Sequence, residues 1–417
     1  MPEHITRRDF LRLAGIGTGA IIGAASAGGG AAAATSGFGR GSTGPARRRP
    51  ATPVLAERLL VVLELNGGND GMSMAPPPDS SVLQALRPSA SYSAAEYLRP
   101  GGGVVLHPAL SRMQNRPLTL VDGLGTPEPD LSHFEMMRRW RAGDPAGKTL
   151  QTTGFLGRVC DALDDGAPVT GLSIGAASTP ALNCERAGTL GLPKHYWFDW
   201  LDDHENRWIA SFGAGLSAMG SPNDNDGDTL RRARRELATG LQLGDMALVV
   251  AESADYPETN LGANLALASQ LLDADIGIRI VHVAVDGDYD THESHRDRHN
   301  TLLGQLNDAL DTFLADLEAR GLAERVLVAT TSEFGRRPKE NGNGGLDHGT
   351  ASTALLAGPV ARQRVGELPS FTNFDDHGNF VATVSMDRYY ATLAESWFGV
   401  PASEVLAGSP RPIEEVW

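Results

Sequence analysis

Between residues 59 and 65 the chain reads Leu-Leu-Val-Val-Leu-Glu-Leu, almost continuously apolar, and is closed by Asn66-Gly67-Gly68-Asn69. A run this short, with so little polar alternation, predicts a strand buried on both faces and then a tight turn. Comparable runs recur at residues 118–121, 169–174, 278–285, 326–330 and 353–356. Between several of them apolar residues take helical spacing, over residues 134–141, 230–239, 261–272, 295–320 and 386–398. Strands alternating with helices in this way predict an α/β three-layer sandwich with a mainly parallel sheet. In such sheets ligands bind beyond the carboxyl ends of the strands, so the residues just after each run are where chemistry is expected.

Ahead of the first strand the pattern changes character. Thr6-Arg7-Arg8-Asp9-Phe10-Leu11-Arg12 resembles the twin-arginine export signal at every position. The stretch from Leu13 to Ala27 is built mostly of Gly, Ala, Ser and Thr, too short and too weakly apolar for a membrane span. Small-residue cleavage sites follow, then a basic Gly/Pro-rich tether with Arg47, Arg48 and Arg49. The expected organisation is a signal over residues 1–35, a linker over 36–55 and one domain over 56–417. That domain carries an aromatic-rich insertion near 190–245, where His195, Tyr196, Trp197, Phe198, Trp200, Trp208 and Phe212 gather. The chain is expected to meet the twin-arginine translocase during export and to work in the periplasm, at the cell surface or outside the cell. Because that route carries folded proteins, often with a cofactor already bound, a metal site is worth seeking.

Charge and cysteine content narrow the classes further. With 36 Lys plus Arg against 51 Asp plus Glu, the formal charge is -15 over 417 residues, which argues against nucleic acid as a partner. Only Cys160 and Cys184 are present, so a disulfide scaffold and a cysteine zinc ribbon are excluded, while a single bridge stays open.

The strand ends are rich in carboxylates and imidazoles. Asn69-Asp70-Gly71 follows the first run, Asp122 and then Ser132-His133 the second, and Asp286 through Asp290-Thr291-His292 the run at 278–285. Ser332-Glu333-Phe334-Gly335-Arg336 follows the run at 326–330, with Asp347-His348-Gly349 soon after. Oxygen ligands mixed with imidazole nitrogens suit one or two divalent ions such as Zn, Mn, Fe or Ca, and favour hydrolysis or transfer at a phosphorus or sulfur ester. Structural readings stand beside these. Ser132 with Glu135 makes a capping box, Asp70 fits a turn, Glu333 could pair with Arg336 or Arg337, and His107 could satisfy only a backbone carbonyl. The Asp224-Asn225-Asp226-Gly227-Asp228 run lacks the full spacing of a calcium loop and reads as a solvated loop.

At these same residues the chain resembles the exported bacterial family known as domain of unknown function 1501 (DUF1501). The landmarks are Asn66 to Gly71, Leu106-His107-Pro108-Ala109-Leu110, Ser132-His133-Phe134, Asp290-Thr291-His292, Ser332 to Arg336 and Asn343 to Gly349. That family is in turn similar to the alkaline phosphatase and sulfatase superfamily. The resemblance implies an alkaline-phosphatase-like fold, with Asp70, Asp290, His292, Glu333 and His348 as metal ligands, Ser132 as nucleophile and Arg336 or the helix start holding anionic oxygens. Asp288, four residues before His292, is an alternate ligand. Glu333 stands where the superfamily has an Asp-His pair, which bears on the second metal. The implied activity is hydrolysis of a small anionic ester, phosphate or sulfate. The alternative is a non-catalytic metal-binding envelope protein that binds a partner or glycan.

Overall fold

The apolar run Leu59–Leu65 is strand β1, buried along its whole length, in a computed structural model that describes residues 57–148, 151–167, 169–176, 179–192 and 254–417, with scattered positions between 218 and 238. The other strands are β2 (Leu98–Gly101), β3 (Val104–Leu106), β4 (Leu118–Gly125), β5 (Gly171–Ile174), β6 (Thr189–Leu192), β7 (Ile280–Val285), β8 (Val326–Thr331), β9 (Ser352–Ala357), β10 (Gln363–Gly366) and β11 (Val384–Ser385). β2 and β3 pair as a hairpin; the rest form one nine-stranded sheet in the order β10-β4-β9-β8-β1-β7-β5-β6, with β11 beside β4. Within that sheet every pairing is parallel except those of β9, which runs antiparallel to β4 and β8.

The helices are α1 (Gly71–Met74), α2 (Ser81–Leu86), α3 (His133–Ala142), α4 (Phe155–Leu163), α5 (Asn260–Asp273), α6 (His295–Ala319), α7 (Met386–Ala391) and α8 (Ala402–Val405), α7 continuing as a π-helical turn over Thr392–Trp397. Because successive strand residues face opposite ways, β1 feeds two cores. Val61, Leu63 and Leu65 pack with Leu265 and Leu271 of α5 and with Leu306, Leu310 and Phe313 of α6. Leu60 and Val62 pack with Met136 and Trp140 of α3, Phe155 of α4 and Tyr389 of α7. Helices on both faces of a mainly parallel sheet make the expected α/β three-layer sandwich. Helices α1, α2, α4 and α8, the β2–β3 hairpin and the strands β6, β10 and β11 go beyond what periodicity predicts. The aromatic residues of the insertion, the Asp224–Asp228 run save Gly227, the proposed signal and half of residues 230–239 lie outside the described residues. Cys160 and Cys184 are both free thiols, so the open question of a bridge is answered in the negative.

The sheet order gathers the chemistry. β4, β9, β8, β1 and β7 are consecutive neighbours. Four of them end at one edge, and β9, being antiparallel, begins there. Residues that precede β9 therefore meet residues that follow its neighbours.

Candidate metal centre

Each imidazole in the cluster comes from a different chain segment. His133 is the first residue of α3, His292 lies in the loop after β7, and His348 precedes β9. His133, Asp290 and His348 each present a ligand atom, all within 4.8 Å of one another. His292 joins them, its Nε2 lying 2.9 Å from Asp290 Oδ1 and 2.9 Å from His348 Nε2. His348 Nε2 is also 3.1 Å from His133 Nε2 and 3.1 Å from Asp290 Oδ1.

The outer nitrogens determine what the inner ones offer. His348 Nδ1 faces the Leu131 carbonyl at 2.8 Å, His133 Nδ1 faces Glu333 Oε1 at 3.2 Å and His292 Nδ1 faces Asp347 Oδ1 at 3.1 Å. Carbonyls and carboxylates only accept, so in each neutral ring Nδ1 carries the proton and Nε2 presents its lone pair. The Nε2 lone pairs of His292, His348 and His133 thus converge with the Asp290 carboxylate, with no donor of their own at the centre. Such crowding is repulsive unless a cation or a proton lies among them. Histidines whose far N–H is fixed by an acceptor are the usual pattern around a protein-bound metal. The donor set of imidazoles and one carboxylate fits a borderline divalent ion.

Glu333 is built into the wall. Gly67 N–H donates to its Oε1 at 2.7 Å and Gly68 N–H to its Oε2 at 2.8 Å, while the Ser332 hydroxyl reaches Oε2 at 3.1 Å. This approach needs glycine: a Cβ on Gly67, whose φ is +107°, would stand 2.7 Å from Asp290 N. Burial pushes the Glu333 carboxyl up, yet His133 and the two backbone donors outweigh it and hold the group below its ordinary range. The same bond raises His133, against burial. His348 is lowered by burial first and by the nearby Arg336 and His133, against the Leu131 carbonyl. Asp290 is raised by burial but more strongly lowered by Arg336, His292 and His348. Phe334 floors the site, its ring centroid 4.6 Å from that of His348.

The sequence-predicted residues fall into three places. Asp290, His292 and His348 are brought together. Glu333 and Arg336 lie behind them. Arg336, fully buried, donates to Gly68 O at 2.7 Å, Leu346 O at 2.9 Å, Tyr289 O at 3.1 Å and Asp290 Oδ1 at 2.7 Å, and also to Gly67 O. Fully buried and turned onto these acceptors, Arg336 is not placed to hold a substrate anion. Asp70 is not brought to the cluster either: its Oδ2 accepts from Arg87 Nη1 at 2.7 Å and faces His295 Nε2 at 3.1 Å, in a separate buried pocket. The alternate ligand Asp288 is exposed and paired with Arg298 at 3.1 Å. Among the described residues no second group of metal-binding geometry is found. Ser132 is the N-cap residue of α3 and exposed, but its hydroxyl makes no capping bond. Glu135 pairs instead with Arg138 and Arg139, so the expected capping box does not form. His107 Nδ1 accepts from Ala109 N–H at 3.1 Å, a backbone contact of the opposite sense to the carbonyl bond expected.

The sequence reading missed His133 and Asp347. His133 adjoins Ser132 in a motif already singled out, and the signal passed over was an imidazole at a helix start after a strand. Asp347 adjoins His348.

The profile of the family described as Protein of unknown function (DUF1501) matches residues 117–372. No curated protein matches the chain. Among solved structures, the lipoteichoic acid synthase LtaP from Listeria monocytogenes is similar at 8% identity and TM-score 0.37, over 85% of this chain and 74% of that one. The PsFucS1 sulfatase from Pseudoalteromonas sp. is similar at 13% identity and TM-score 0.37, over 86% and 73%. Alkaline phosphatase from the Antarctic bacterium TAB5 is similar at 12% identity and TM-score 0.33, over 72% and 92%. Likenesses this distant carry no weight for activity, and the architecture stands on the strand order itself.

Proposed function

The chain belongs to the DUF1501 family, and from that premise we propose that it is a metal-dependent hydrolase of phosphate or sulfate esters, exported by the twin-arginine route. The observation that carries the reading is the convergence of the His133, His292 and His348 Nε2 lone pairs on Asp290, each ring held from behind by an acceptor. These four residues would hold the ion, with Glu333, Asp347 and Arg336 fixing them. When bound, a divalent cation supplies Lewis-acid polarisation of an ester oxygen and offsets developing negative charge. Ser132, exposed and uncapped beside His133, offers a hydroxyl as nucleophile. The first-turn amides of α3 lack intrahelical acceptors and can hold anionic oxygens.

A second reading, a metal-binding protein without turnover, is favoured by one observation. Asp70 and Arg336, which the hydrolase pattern would use, are both locked into structural bonds.

The test is elemental analysis of the full chain purified without chelator, beside His133→Ala. About one ion per chain is expected, lost in the variant, with the melting temperature of the wild type rising as metal is returned. A panel of phosphate and sulfate esters then separates the readings: turnover that Ser132→Ala abolishes supports the hydrolase, whereas bound metal with no turnover supports the binder. A wild type that takes up none of Zn, Mn, Fe or Ca would sink both.

A further inference from the structure

Of the ring-holding contacts, the one behind His292 is the most exposed. His292 and Asp347 side chains are 44% and 46% accessible, whereas Glu333 behind His133 is buried. A hydrogen-bonded pair open to water contributes little unless something holds its geometry. Here the holder is an amide. Asn341 Nδ2 donates to Asp347 Oδ1 at 3.0 Å and to the backbone carbonyl of His292 at 2.8 Å. Its Oδ1 accepts from Asn343 N at 2.9 Å and Gly345 N at 3.0 Å. Two acceptors on one side and two donors on the other leave a single sensible orientation of the amide. Asn341 thus fixes both the backbone of His292 and the carboxylate that keeps the proton on its Nδ1.

The surrounding loop is closed onto the same segment. Leu346 N donates to Thr291 O at 3.0 Å and His295 N to Gly344 O at 2.9 Å. Gly345 passes so close that a Cβ there would lie 2.0 Å from His292 C and O. That contact leaves no room for a side chain at residue 345.

We propose that Asn341 is a positioning residue that acts through Asp347 on His292 and sets how tightly the centre holds its ion. The role rests on the metal reading above and adds a residue two hydrogen bonds removed from the ligand atom. Removing such an outer partner lowers metal affinity by about 10–100-fold.

The experiment is a double-mutant cycle on the full chain: wild type, Asn341→Ala, Asp347→Ala and the double variant. Zn affinity is measured by competition with a chromophoric chelator, and the visible spectrum of the Co(II)-loaded protein is recorded. Each single variant should weaken Zn binding by about 10–100-fold and alter the Co(II) spectrum. The double variant should lose less than the product of the two single losses, because both changes break the Asn341–Asp347 link while only Asn341→Ala also frees the His292 carbonyl. Losses that multiply in the double variant would show Asn341 acting independently of Asp347 and overturn the role. So would unchanged affinity in Asn341→Ala while the wild type binds Zn. Failure of the wild type to bind Zn or Co(II) overturns the centre itself, a distinguishable result. If Asn341→Ala loses its fold by circular dichroism, Asn341→Ser, which retains an acceptor for the turn amides, takes its place in the cycle.

Discussion

A buried guanidinium can organise a loop only by giving up its donors. Arg87, fully buried at the C-cap of α2, donates to Asp70, Ser73 Oγ, Pro338 O and Arg337 O. It thereby ties the loop before α1 to the segment that leads into the metal-site loop. Burial favours a neutral Asp70, but Arg87 and then His295 hold it well below the ordinary carboxylate range. Arg87→Met would leave that buried carboxylate with only His295 beside it. Loss of about 3–5 kcal/mol is expected, read as a lower midpoint of urea unfolding; a midpoint within error of wild type would refute the clamp. Sequence placed an acid after β1 and an arginine after β8 correctly on the carboxyl edge. It could not tell that Asp70 and Arg336 would be consumed by backbone and by a distant arginine, because burial and partner are tertiary facts.

At the scale of elements, what matters is which face of a strand or helix meets what. β1 is apolar except at Glu64, which points to the α3 side with Leu60 and Val62. There it accepts from Arg141 of α3 at 3.0 Å and faces His282 Nε2 of β7 at 3.0 Å. Burial pushes Glu64 up, but His282 and Arg141 outweigh it and bring it from 4.5 down to about 2. A carboxyl lowered on folding contributes stability that is present above its unfolded value and disappears as pH falls through the folded one. Stability should therefore decline between about pH 4.5 and 2 through this residue. In Glu64→Gln the decline in that window should be shallower, measured as denaturation midpoint against pH; equal slopes would remove Glu64 as a cause. The antiparallel run of β9 was not legible either, since a short apolar run carries no sign of its direction. Yet that direction is what delivers His348 to the carboxyl edge. His133 was hidden for a related reason: the phase of α3, not the motif, decides that its first residue turns an imidazole toward Asp290 and His348.

For the molecule as a whole, the proposed export signal and the proposed ion site are linked by order of events, because a route that carries folded chains would allow the ion to be bound before crossing. Among the described residues no helix is long and apolar enough to cross a membrane. Replacing Arg7 and Arg8 together by Lys should retain the protein in the cytoplasm, seen by fractionation with a twin-arginine-deficient strain as reference; normal export of the variant would argue for another route. The sequence by itself determined the main strand runs, half of the labelled helices, the α/β class and the edge where polar residues gather, because periodicity and local turn chemistry are written within a few residues of each other; its motifs carried the family resemblance. Only the tertiary structure decided which of those polar residues meet. Convergence of His133, Asp290, His292 and His348 depends on strand order, on the reversal of β9 and on helix phase, and each of these is settled by packing between segments far apart in the chain.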